Sequence, residues 1–117
     1  MIERTLRLNL LFDFYGPLLT AKQQRLFTLY RQEDLSLGEI AEQEGISRQA
    51  VHDIIRRAES ALEDAEAKCG LAAAHERQRT ALAALVRQLS AARDAADAEA
   101  LAAVEQALRA LVNGAAD

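Results

Sequence analysis

Tryptophan is absent from this chain, proline and cysteine occur once each, and the aromatics amount to three phenylalanines and two tyrosines. So few large rings leave little from which to build a β-sheet core, where aromatic and β-branched residues dominate. With Cys69 alone no internal disulfide can form, and His52 and His75 lie too far from it to give the ligand spacing of a metal site. Cys69 is therefore assigned to packing near a helix end. No apolar run is long enough to span a bilayer, and the opening MIERTLRLNLL mixes charge into its apolar stretch without a small-residue cleavage site. A cytoplasmic protein without membrane insertion is expected. A glycine-rich phosphate loop and a nucleophile with a nearby histidine base are also missing, which leaves no catalytic constellation and no cofactor site. The chain reads as a non-enzyme.

An excess of positive charge is lacking as well. The formal net charge is −4; residues 1–60 carry eight Lys or Arg against nine Asp or Glu, and residues 61–117 six against nine. Phosphate neutralisation supplies most non-specific affinity for nucleic acid, so a protein that coats it is excluded.

What the chain does contain is helix-forming sequence. Ala, Leu, Glu, Arg and Gln dominate its 117 residues, and the fold class is all-α. The organising stretch is LSLGEIAEQEGISRQAVHDIIRR, Leu35 to Arg57, which reads as two helices joined by a tight turn. Ser36 is an N-cap with Glu39 at the capping-box position. Ile40 and the small Ala41 face inward, Gly45 supplies the left-handed turn residue, and Ile46 plugs the corner. Ser47 caps the next helix, whose buried face continues through Val51 and Ile54 or Ile55. The pattern is that of a helix-turn-helix. Its second helix turns Arg48, Gln49, His52, Asp53, Arg56 and Arg57 outward. Arg48 and Gln49 have the donors to pair with guanine and adenine edges in a major groove, and the same face also serves a purely structural or protein-docking use. Glu39, Glu42 and Glu44 on the preceding helix oppose a phosphate backbone, so duplex DNA binding is expected to be weak.

Two helices precede the motif. The first, Ile2 to Tyr15, carries Ile2, Leu6, Leu10 and Phe14 on one face, with Leu8, Leu11, Phe12 and Tyr15 widening the stripe, so it should be covered on most sides. Gly16 and Pro17 end it. Thr20 and Gln23 make a second capping box, followed by Leu26, Phe27, Leu29 and Tyr30 facing inward, while Lys22, Gln24, Arg25 and Arg31 point out. The four helices form an N-terminal unit over residues 1–69, the last helix running to about Cys69 with Gly70 as terminator. Residues 70–117 form an Ala-rich helical extension, a lid or dimerisation arm. Its two stripes, Leu82, Leu85, Leu89 and Leu101, Val104, Leu108, Leu111, are out of phase. That places a break near Arg93 to Asp97, with Asp94 or Asp97 as a cap. Asn113 and Gly114 close the ordered part. The neighbours Glu63 and Asp64 read as solvated charge. The wide girth of the first helix and the spare stripes of the tail predict a homodimer.

The stretches LLFDFYGPLLTAKQQRLFTLY and DLSLGEIAEQEGISRQAVHDIIRRAESALEDAE resemble the YlxM-like family of small bacterial helix-turn-helix proteins, themselves similar to the promoter-reading C-terminal region, region 4, of sigma factors. DFYGPLLT, SLGEIAE and SRQAVHD carry most of the resemblance, which covers roughly residues 5–67; the Ala-rich part after Gly70 departs from it. The resemblance implies a bacterial cytosolic regulatory or accessory protein of the signal recognition particle pathway, with the targeting GTPase or the particle RNA as partner. It transfers no catalytic residue. A sequence-specific DNA-binding regulator is the other function compatible with the motif.

Overall fold

The computed structural model describes residues Ile2–Asn113, and over these the chain is all-α, with six helices and no strand among the described residues. They are α1 (Ile2–Tyr15), α2 (Ala21–Phe27), α3 (Leu37–Glu44), α4 (Arg48–Cys69), α5 (Leu71–Ala95) and α6 (Ala98–Val112). A 3-10 turn at Gly16–Leu18 follows α1, and α2 continues into a π-helical turn at Thr28–Gln32. Gly114, expected at the end of the ordered part, lies outside the described residues. The chain divides into two compact units with the boundary between Ala72 and Ala73.

Local chemistry sets each helix start in the first unit. The Thr20 hydroxyl accepts from the Gln23 amide at 3.1 Å, and the Gln23 side chain accepts from the Thr20 amide at 2.9 Å. Ser36 and Glu39 make the same reciprocal pair at 3.1 and 3.0 Å, and Ser47 Oγ accepts from the Ala50 amide at 3.0 Å. Each cap satisfies a donor that the first helical turn leaves free. Gly45 ends α3 at φ 69°, its amide donating to Ala41 O at 2.9 Å, and Gly70 ends α4 at φ 65°.

Two cores form, and α4 contributes to both. Ala58 and Leu62 join Leu8, Leu11 and Tyr15 of α1 and Phe27 of α2, with Phe12 stacked on Phe27 at a ring separation of 4.6 Å. One and two turns earlier, Ile55 and Val51 join Leu26 of α2 and Ile40 and Ala41 of α3. Leu8, Leu11, Leu26, Phe27, Ile40, Val51 and Leu62 are fully buried, so the apolar stripe of α4 is the seam on which the unit closes.

The helix junction after α4 is held by side chains from both ends of the unit. Tyr15 Oη donates to Glu66 Oε1 at 2.7 Å and accepts from the Leu71 amide at 2.9 Å, while the Ala72 amide donates to the same Glu66 oxygen at 3.0 Å. The first amides of α5 are thus capped, and burial, with the bond to Glu66, pushes the Tyr15 hydroxyl pKa up.

Several expectations are corrected. Ile2 and Leu6 are exposed, at 78% and 63%, because α1 packs through Leu8, Leu11 and Tyr15 and these two residues fall on its opposite side. Gln24 does not point out: its amide donates to Gly16 O and Leu19 O at 2.9 and 3.2 Å, closing the 3-10 turn. Glu63 is not solvated charge but grips Arg7 of α1 at 2.7 and 3.0 Å. Cys69 is exposed, since the core cluster on α4 stops at Leu62 and Ala65.

In the second unit Leu85, Ala92 and Val104 are buried, and Leu82, Val86, Leu89 and Leu108 are exposed. The break falls at Ala96, with φ 52°, and Asp97 caps α6 by accepting from the Ala100 amide at 3.1 Å.

Replacing Gly45 by alanine tests the turn in isolation, because a Cβ there would meet nothing within 4 Å. The expected loss, read by chemical denaturation, is about 1–2 kcal/mol from the left-handed backbone alone. Phe27→Ala, in a filled core, should cost about 3–5 kcal/mol.

Candidate nucleic-acid or partner interface

The Ser47 cap and the Gly45 turn start α4 at Arg48, so that its first turns stand clear of the core while Val51 and Ile55 hold the inner face. Arg48, Gln49, His52, Arg56 and Arg57 are all exposed. They do not form one cluster. Arg48, Gln49 and His52 share a shallow depression with Leu37 of α3. Arg56 turns toward a separate cleft with His52, and Arg57 lies on the flank beside Asp53 and Asp64. Gln49 is held in place, its amide donating to Asp53 Oδ1 at 3.1 Å, and His52 Nδ1 lies 3.8 Å from the same oxygen. The Arg48 stem passes Gly38 of α3, its Cδ 3.9 Å from where a Cβ would stand, an ordinary contact distance.

Charge in this unit is sorted. Arg7 pairs with Glu63 at 2.7 Å, Arg25 with Glu44 at 2.7 Å, and Arg31 and Arg4 with Glu59 at 2.7 and 3.5 Å. Arg48, Arg56 and Arg57 make no ion pair among the described residues. The cations on the outer face of α4 therefore keep their charge for a ligand, while Arg4, Arg7, Arg25 and Arg31 are spent internally. The bond from Arg25 holds the Glu44 carboxyl below the usual carboxylate range and raises Arg25. Arg7 does the same to Glu63, and Glu39 is lowered by its bonds to Ser36. Of the three α3 carboxylates expected to oppose phosphate, Glu44 is thus matched by Arg25 and Glu39 is tied into its own cap.

Arg31 corrects the outward placement: only 16% of its side chain is exposed, with Nε on Glu59 and Nη1 donating to Thr5 Oγ1 at 3.0 Å. Both partners carried a signal in the sequence. Arg31 stands four residues after the buried Phe27, and Glu59 four after Ile55, so each is a charge on an inward stripe. No group of three or more His, Cys, Asp or Glu among the described residues is placed to hold a metal ion, and no described helix is long and apolar enough to cross a membrane.

The family model described as "Putative helix-turn-helix protein, YlxM / p13 like", UPF0122, matches residues 2–102. This chain belongs to the UPF0122 family. A UPF0122 protein of Symbiobacterium thermophilum is 49% identical over 105 residues, covering 90% of this chain and 92% of the relative. One from Geobacillus kaustophilus is 50% identical over 106 residues, covering 91% and 96%. One from Bacillus cereus is 53% identical over 90 residues, covering 76% and 80%. The UPF0122 match runs past Gly70 through α5 and into α6, which corrects the boundary of the resemblance near residue 67. An Ala-rich helix has few distinctive side chains, so its kinship is hard to see from residue types alone.

The paired carboxylates set an acid limit on stability. Their folded pKa values lie below those of the open chain, so their stabilisation is complete above about 4.3, the ordinary glutamate value, and is lost as pH falls through the folded values. Thermal midpoints should hold between pH 7 and 5 and drop below about pH 4. Glu44→Gln should make that drop shallower while lowering the midpoint at pH 7.

Proposed function

We propose that this UPF0122 protein is a cytoplasmic accessory factor of the signal recognition particle pathway, acting through the outer face of α4 on the particle RNA or its targeting GTPase. The pathway comes from the resemblance of the two motif stretches to YlxM-like proteins. The surface comes from one observation, the unpaired Arg48, Arg56 and Arg57 beside a set of internally matched cations. Guanidinium groups left free on a helix face suit phosphate oxygens, which favours the RNA over the GTPase as first contact. A homodimer is part of the proposal, because Ile2 and Leu6 on α1 and Leu82, Val86 and Leu89 on α5 are exposed. A sequence-specific DNA regulator is the second reading, favoured by Arg48 and Gln49 on the first turn of α4.

Capture from lysate with and without ribonuclease tests the partner; loss on nuclease treatment supports the RNA, and persistence the GTPase. Arg48→Ala with Gln49→Ala should leave the helical signal intact and abolish capture. Three unpaired arginines limit the log–log salt dependence of duplex DNA binding to a slope of about −3 per protomer, with affinity on the order of micromolar or weaker at physiological salt. A single enriched motif from random duplexes, bound at nanomolar concentration, would put the DNA reading first. Light scattering should return twice the chain mass, and a monomer at every concentration would remove the dimer.

A further inference from the structure

Beside the α4 face lies a cleft of about 260 Å³ between α1, the π-helical turn, the start of α3 and the middle of α4. Arg4, Arg31, Arg56, His52, Tyr30 and Glu59 stand on its walls. Glu59 is only 7% exposed, and such a carboxylate needs one cation to offset its lost hydration. Here it has two, Arg31 at 2.7 Å and Arg4 at 3.5 Å, and Arg56 adds a third guanidinium with no ion pair. The lining therefore carries three permanently charged cations against one carboxylate, and a concave surface concentrates that surplus.

The three arginines differ in how they are held. Arg31 is immobilised by Glu59 and Thr5 and lies 5.1 Å from the Tyr30 ring centroid. Arg4 is 57% exposed, its contact with Glu59 is long, and both it and Arg56 can turn toward a guest at little cost. The turn that carries Tyr30 and Arg31 is π-helical, a backbone form frequent at functional positions. Leu37, the first residue of α3, is also on the wall.

We propose that this cleft is a binding site for a phosphate group, with Arg56 and Arg4 as its movable donors and Arg31, braced by Glu59, as its fixed one. The site shares Arg56 and His52 with the outer face of α4 but does not rest on the pathway proposed for that face. A phosphate monoester of a free nucleotide and a phosphodiester of a strand present the same oxygens to it.

Amide shifts of the full isotope-labelled chain, titrated at constant ionic strength with inorganic phosphate, a nucleoside monophosphate or a dinucleotide, test the assignment. Saturable shifts at Tyr30, Leu37 and Ile55 are expected. Arg4→Gln with Arg56→Gln, both at exposed positions, should weaken them by about tenfold or more. Arg87→Gln, an exposed arginine on α5, should change nothing. Preference for the monophosphate marks a free nucleotide as the source and preference for the dinucleotide a strand; either carries the proposal. Shifts that never saturate, or that survive the double replacement, would overturn it. Failure to capture the particle RNA or its GTPase at all from untreated lysate, with intact phosphate binding, would instead count against the pathway reading alone.

Discussion

A single helix face closes both cores of the N-terminal unit. Val51 and Ile55 belong to the core shared with α2 and α3, and Ala58 and Leu62 to the one shared with α1 and α2. Neither cluster is large, and a unit of this size has little burial to spare. The register of α4 is therefore the constraint on which the rest depends: rotating it by one residue would withdraw all four side chains together. Its register is set at the N-terminal end by Ser47 and Gly45. The turn thus orients the outer face and seats the inner one in the same step.

One turn after Ile55 the buried stripe of α4 is interrupted by Glu59. A carboxylate at that depth is tolerated because Arg31 meets it from the π-helical turn and Arg4 from α1. The pairing also has a consequence outside the core. By pairing with Arg4, Arg7, Arg25 and Arg31, the carboxylates Glu44, Glu59 and Glu63 leave the unpaired arginines Arg48, Arg56 and Arg57 on the outer side of α4 and in the cleft next to it. A chain of formal charge −4 can in this way present a local basic surface.

Features settled by neighbours in sequence were legible from residue types. Both capping boxes, the left-handed glycines, the end of α4 at Cys69 and the break capped by Asp97 depend on residues no more than five apart. What stayed hidden depends on distant partners: Arg31 and Glu59 are 28 positions apart, and Arg7 and Glu63 are 56 apart. Periodicity marks Arg31 and Glu59 as inward, but hydrophobic patterning counts a charge as outward by default. The girth of α1 misled for a related reason, since Ile2 and Leu6 are apolar without having a helix to meet. At the interface, exposure of Arg48, Gln49, His52, Arg56 and Arg57 followed from the helix period. Their division among three depressions did not, because it depends on Leu37, Asp64 and the far wall formed by Arg4 and Tyr30.

The junction at Gly70 bears on how this architecture can change. Tyr15 and Glu66 take hold of Leu71 and Ala72 through main-chain amides, groups that every residue but proline possesses. The one side chain constrained there is Ala72, which is buried in the first core. The segment beyond Ala72 can be rewritten or exchanged for another helix while the splice itself stays sound, which makes the first turn of α5 a natural graft point for attaching new C-terminal modules to the same helix-turn-helix.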